Sequence, residues 1–264
     1  MQFRRILFLA ALAGAPAFAQ LAPIRSDRGV TMGHLHLVVR DVDAAKKFWT
    51  DFGGKPVKNN QLELIEFPNI YIMLRKGEPT GGSVGSSVNH VGFQARNSAE
   101  MVAKWNAAGI KTEKGNGAGQ YYVTTDDGLR IEIQEDKTQA NPLQFYHVHF
   151  NIPSADTAEA EAWYVRNFDA APRSGTRYKT DDIPGSNLTL ADVKEAAAPT
   201  KGRTLDHIGF VVNDLDSFAK RLEAQGVKFD IAPRAVNDGK TKVAFLTDKW
   251  GTYIELTEGL APKP

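Results

Sequence analysis

Gly33-His34-Leu35-His36-Leu37-Val38-Val39 decides how the rest of the chain is read, because segments of the same kind return three times. The later ones are Asn89-His90-Val91-Gly92-Phe93-Gln94, Tyr146-His147-Val148-His149-Phe150-Asn151-Ile152 and Asp206-His207-Ile208-Gly209-Phe210-Val211-Val212. They recur roughly every 60 residues, a period that marks an internal structural repeat. Side chains alternate across a strand, so Leu35, Leu37 and Val39 share one face, as do Val91 and Phe93, Val148, Phe150 and Ile152, and Ile208, Phe210 and Val212. His34, His36, His90, His147, His149 and His207 then all point the other way.

The apolar faces need helices against them, and a helical pattern follows each one. Asp41 or Asp43 precedes Ala45, Phe48, Trp49 and Phe52; Ser98 precedes Met101, Val102, Trp105 and Ala108. Ala160, Trp163, Tyr164 and Phe168 form a third stripe, and Asp214 precedes Leu215, Phe218 and Leu222. Apolar spacing of three and four behind a Ser or Asp cap predicts an amphipathic helix, with Gly53, Gly109 and Gly226 as stops and Trp49, Trp105 and Trp163 in the core. Further strands are expected over 62–67 and 70–74, 120–124 and 129–134, 177–180 and 187–190, and 241–246 and 252–257. Each unit reads β-α-β-β-β, with linkers over 77–87, 136–142 and 196–203. The expected class is α+β: four such units paired into two cupped mixed sheets with helices outside.

Composition narrows the chemistry. The chain has 264 residues, 32 Lys plus Arg against 31 Asp plus Glu, 42% hydrophobic residues and no Cys. That balance fits a globular protein and argues against a nucleic-acid partner, while the lack of Cys excludes disulfide frameworks, zinc ribbons and thiolate nucleophiles. Arg4 and Arg5, the apolar run 6–15 and Ala17-Phe18-Ala19 predict a cleaved secretory leader over 1–19 and a periplasmic or secreted protein. The run is too short for a membrane anchor, which needs about 20 residues. Removing the two arginines leaves the mature chain nearly neutral.

The second and fourth units end alike, in Asp127-Gly128-Leu129-Arg130-Ile131-Glu132-Ile133 and Trp250-Gly251-Thr252-Tyr253-Ile254-Glu255-Leu256. Alternation turns Glu132 and Glu255 away from their apolar neighbours, toward the face of the histidines. This pattern resembles the vicinal oxygen chelate superfamily, which includes glyoxalases, bleomycin-resistance proteins, fosfomycin-inactivating transferases and extradiol dioxygenases. His34 to Asp41 and Asp248 to Glu255 look like the family's motifs, and the resemblance covers about residues 32–258, divided into domains at 32–137 and 143–258 by the repeat.

The resemblance implies a divalent metal held by opening-strand histidines and closing-strand glutamates: His34, His90, His147 and His207 with Glu132 and Glu255. The closing positions of the first and third units read as Met73 and Thr189. Each site therefore offers one carboxylate, which argues against glyoxalase I activity. The units can pair first with second and third with fourth, or first with fourth and second with third. Either pairing gives two His and one Glu per cup.

Such a set leaves coordination positions open and suits Fe(II) or Mn(II), with Zn(II), Ni(II) or Co(II) also compatible. Tyr122 stands ten positions before Glu132, as a Tyr does in extradiol dioxygenases; Phe245 holds that place before Glu255. Tyr122, His36 and His149 are the candidate catalytic groups, and Arg130, Gln134 and Tyr253 the candidate substrate contacts. The implied function is a metal-dependent enzyme acting on a small oxygen-chelating substrate, dioxygenase-like or lyase- or isomerase-like, as a monomer or homodimer. The alternatives are a metal-free sequestering protein or a thiol or epoxide transferase of the fosfomycin-resistance type. Export from the thiol-rich cytoplasm weighs against the transferase.

Overall fold

A computed structural model describes residues 21–59 and 62–260; the expected leader lies outside the described residues. The first unit comprises β1 (Thr31–Val39), α1 (Val42–Phe52), β2 (Lys55–Asn59), β3 (Leu62–Phe67) and β4 (Ile70–Lys76). The second comprises β5 (Val88–Ala95), α2 (Ser98–Ala107), β6 (Glu113–Lys114), β7 (Tyr121–Thr124) and β8 (Arg130–Glu135). The third has β9 (Leu143–Pro153), α3 (Thr157–Phe168), β10 (Ala171–Arg173), β11 (Lys179–Ile183) and β12 (Ser186–Val193). The fourth has β13 (Leu205–Val211), α4 (Leu215–Ala224), β14 (Phe229–Val236), β15 (Thr241–Thr247) and β16 (Tyr253–Glu258).

These strands form two eight-stranded sheets, ordered β14-β15-β16-β13-β1-β4-β3-β2 and β10-β11-β12-β9-β5-β8-β7-β6. The first unit therefore pairs with the fourth and the second with the third, through antiparallel β1–β13 and β5–β9 seams. Within each unit the opening strand runs parallel to the closing strand, as β1 to β4 and β5 to β8. The histidine faces form the inside of each cup, and the four helices pack on the opposite faces.

Local chemistry explains the helices. Asp41 caps α1 by accepting from the amides of Asp43 and Ala44, and Asp214 caps α4 by accepting from Ser217 N. The cap of α2 is Asn97, whose side chain accepts from Glu100 N, so Ser98 is the first helical residue rather than the cap. Gly53 ends α1 at φ 125, a conformation that a side chain would strain. Trp49 and Trp105 are fully buried, whereas Trp163 is only half-buried at the margin of the core.

Consecutive units meet through their helices. The ring of Phe52 in α1 stacks on Trp105 in α2 with centroids 4.6 Å apart, and Trp105 Nε1 donates to the Phe52 carbonyl at 2.9 Å. Phe168 of α3 stacks on Phe218 of α4 at 6.2 Å. One continuous apolar cluster joins both sheets, with Phe67, Phe93, Phe145 and Phe150 in it. A separate apolar cluster lies inside the first cup, where Leu64 and Tyr71 are covered by Leu260 from the C-terminal end, with Leu21 and Met73 packed beside them. Asn59 Nδ2 donates to the Leu260 carbonyl there.

Candidate metal centres

The pairing of units gathers the predicted ligands into two sets. His34, His207 and Glu255 converge in the first cup, and His90, His147 and Glu132 in the second. All six are buried. In the first cup Glu255 Oε2 lies 3.1 Å from His34 Nε2 and 2.9 Å from His207 Nε2. In the second, Glu132 Oε2 lies 3.2 Å from both His90 Nε2 and His147 Nε2, although His147 is turned out of hydrogen-bonding geometry. One carboxylate oxygen thus receives two imidazole nitrogens in each cup.

Two ligand histidines are oriented from outside the cup. His207 Nδ1 donates to Asp206 Oδ1 at 2.7 Å, and Asp206 Oδ2 accepts from Gly202 N at 2.8 Å. His90 Nδ1 donates to the side-chain oxygen of Asn89 at 2.9 Å. A neutral imidazole that donates through Nδ1 aims a lone pair through Nε2, here straight at a carboxylate. That arrangement is repulsive unless the ring is protonated or a cation sits between the atoms. In His207 burial favours the neutral ring, but Asp206 and Glu255 outweigh it and raise its pKa. Burial also pushes Glu255 and Glu132 up, yet the imidazoles around them prevail and hold both carboxyls below the usual range. The donor set fits a divalent cation: orienting partners on Nδ1 and converging Nε2 and carboxylate atoms are what metal-binding histidines display. His36 Nε2 and His147 Nε2, buried and without hydrogen-bond partners among the described residues, fit it too.

The histidines two residues further along lie in the same clusters. His36 stands opposite His207 across the β1–β13 seam, with ring centroids 4.6 Å apart. His149 stands opposite His90 and stacks on it at 4.2 Å. Burial lowers both to about 3, aided by His207 and His34 in one cup and by His90 and His147 in the other.

Tyr122 sits directly across from Glu132 on β7 and β8, its hydroxyl 3.5 Å from Glu132 Oε1. Burial, then the nearby Glu132 charge, raises its pKa, so Tyr122 keeps its proton at neutral pH. Gln134 lines the same cavity, of about 360 Å³, with His90, Glu132, His147, His149 and Tyr122. Arg130 does not line it: its guanidinium carbon lies over the Tyr122 ring, 4.2 Å from the centroid. Tyr253 belongs to the other cup, stacked on Phe245 at 5.3 Å and edge-on to His207.

Several neighbours were not singled out from sequence. Gln120 Nε2 donates to Glu132 Oε1 and, at 3.2 Å, to the Tyr122 hydroxyl. Arg173, Arg177, Tyr146 and Tyr178 also line the cavity. Asn89 and Asp206 carried a usable signal, since each directly precedes the ligand histidine in a unit that also supplies the glutamate.

The family model for the Glyoxalase/Bleomycin resistance protein/Dioxygenase superfamily matches residues 31–133 and 147–256. The chain belongs to this superfamily. Among solved structures it is similar to glyoxalase I from Zea mays, at 16% identity and TM-score 0.63, over 88% of this chain and 93% of that one. A candidate dioxygenase from Bacillus subtilis is similar at 16% identity and TM-score 0.61, over 88% of this chain and 86% of that one. At such identities the likeness is one of fold. No curated protein matches the chain by sequence. Among the described residues no helix is long and apolar enough to cross a membrane.

Proposed function

We propose that the chain is an exported, divalent-metal-dependent enzyme whose catalytic centre is the second cup, acting on a small, oxygen-chelating, anionic substrate. The observation that carries this reading is the cavity of about 360 Å³, which joins His90, Glu132, His147 and His149 to Tyr122, Gln120, Arg173 and Arg177. Buried ligands, a phenol beside them and guanidinium groups bordering the same space make a place where a chelating anion can be held and reacted.

His90, His147 and Glu132 would hold the metal, Fe(II) or Mn(II) first on this donor set, with Asn89 fixing the tautomer of His90. The bound ion would supply Lewis-acid polarisation of two substrate oxygens. Tyr122 is the proton carrier: it is protonated at neutral pH and sits across the strand pair from the carboxylate. Gln120 holds Glu132 Oε1 and Tyr122 in one orientation, so the carboxylate presents Oε2 to the imidazoles. Arg177, its guanidinium carbon 5.1 Å from the centroid of the Tyr178 ring, offers positive charge to the anion. The first cup, whose inside is partly filled by Leu260, serves as the structural counterpart.

Metal analysis of protein purified without chelator, followed by oxygen uptake with a catechol panel under Fe(II), tests the reading. Uptake lost in Glu132→Gln and kept in Glu255→Gln supports a dioxygenase in the second cup. Metal-dependent turnover without oxygen uptake supports lyase or isomerase chemistry. Absence of bound metal, with no gain on adding any, would sink the enzyme reading in favour of a sequestering protein. N-terminal sequencing of the exported product, expected to begin at Gln20, tests localisation.

A further inference from the structure

Sheet register aligns the four units position by position: the opening histidine, the residue two further along, and the closing-strand residue paired with it. In the second and fourth units this triplet is His90, Gly92 and Glu132, and His207, Gly209 and Glu255. In the first and third it is His34, His36 and Met73, and His147, His149 and Thr189. Where the closing strand brings a carboxylate, the opening strand has glycine. Where it brings none, the opening strand has a second histidine. Glycine is required in its places: a Cβ on Gly209 would lie 2.0 Å from Cε1 of His34, and one on Gly92 2.4 Å from Cε1 of His147. The seam thus brings one glycine-and-glutamate unit and one His-x-His unit into each cup.

The extra imidazoles lie within the clusters themselves. The ligand-capable atoms of His34, His36, His207 and Glu255 all fall within 4.8 Å of one another, as do those of His90, His147 and His149. Donors bound at about 2.1 Å to one ion stand about 3 to 4 Å apart, so modest closing movements complete a four-ligand shell in the first cup. In the second, Glu132, which lies against His90 and His147 but outside the three-histidine set, must also move toward His149. The buried Nε2 of His36 has no hydrogen-bond partner among the described residues.

We propose that His36 and His149 are the fourth protein ligands of two three-His, one-Glu centres, each taking the place of a carboxylate that Met73 and Thr189 do not supply. This rests on the metal-enzyme reading above. Three neutral imidazoles and one carboxylate leave a divalent ion with a net charge of +1, where two carboxylates would leave it neutral. Two positions of an octahedral shell remain open. The ligand class that such a centre selects is an anion with two adjacent oxygens, a catecholate or an α-hydroxycarboxylate, bound through both.

Pulsed electron paramagnetic resonance of Cu(II)-loaded protein counts coordinated imidazoles through their remote nitrogens. In a His90→Asn/His147→Asn protein, which retains the core ligands of the first cup alone, the count should be three. Adding His36→Gln should lower it to two and weaken Cu(II) binding in chelator competition at least about 100-fold, more than loss of an orienting residue costs. In His36→Ala, free imidazole should restore the third modulation, which it would not do for a histidine that only hydrogen-bonds. His149→Gln in a His34→Asn/His207→Asn protein repeats the test in the other cup, should a His36 variant fail to fold. A count unchanged by these substitutions overturns the proposal while leaving a metal centre in place. A wild-type chain that takes up no divalent ion overturns it together with the reading on which it rests.

Discussion

At the scale of single residues, the ligand set was legible because burial and strand alternation act on each side chain in turn: a polar residue between apolar ones must face the cup. Asn89 and Asp206 were harder to read, since their role depends on a side chain reaching its neighbour's ring nitrogen at the strand edge. Their function is measurable. Asp206→Ala should weaken metal binding in the first cup, and Asn89→Ala in the second, by about 10- to 100-fold in chelator competition, while leaving the ligand count unchanged. Asp181 shows the opposite case, a charge that the sequence gives no reason to bury. It lies fully buried on the helix side of β11, opposite Leu188, with neither carboxylate oxygen paired among the described residues. Burial, then the Glu161 charge, pushes its carboxyl up to about 7 from 3.8. Unfolded Asp181 loses its proton first as pH rises, so stability falls between pH 4 and pH 7 and the cost is complete above that window. Asp181→Leu should therefore stabilise the fold at pH 8 by about 1–3 kcal/mol and give much less at pH 4, as measured by denaturant titration.

Among elements, the opening strands and helices were readable from periodicity, whereas β2, β6, β10 and β14 were not. These are the outermost strands of their sheets, partly or wholly solvated, and β6 is only two residues long. An edge strand buries little on either face: even β14, whose exposure alternates, has no fully buried residue to mark a core face. The third unit shows the same limit, because Arg177 and Tyr178 precede β11 and line the cavity instead of joining the sheet. The seam strands carry a sharper constraint. Gly209→Ala should displace the His34 ring and lower metal uptake by one ion per chain, with the second cup unaffected; Gly92→Ala should do the converse through His147. Inductively coupled plasma measurement of bound metal, repeated in proteins whose His34 and His207 or whose His90 and His147 are replaced by Asn, assigns the loss to a cup, and equal loss from both cups in either variant would contradict the register.

Across the whole molecule, sequence left the pairing of units open because the ligand count is the same either way. The structure resolves it by joining first to second and third to fourth through helices, and second to third and fourth to first through sheets. The two sequence halves therefore each hold part of both centres. Separately expressed residues 21–141 and 142–260 should each lack a complete ligand set, bind metal together only as a 1:1 complex, and co-elute in size-exclusion chromatography. The same closed ring bears on the order in which the chain assembles. The β5–β9 seam closes a loop of about 60 residues, but the β1–β13 seam must close one of about 170, at an added entropic cost of roughly 1 kcal/mol. The second cup is thus favoured to form first, and the first cup can close only after three units have been laid down. Joining the segment at Leu21 to that at Leu260, which pack in one apolar cluster, and reopening the chain between the halves would exchange these roles. The two cups differ in kinetic history through where the ring is cut, although one repeat built them both.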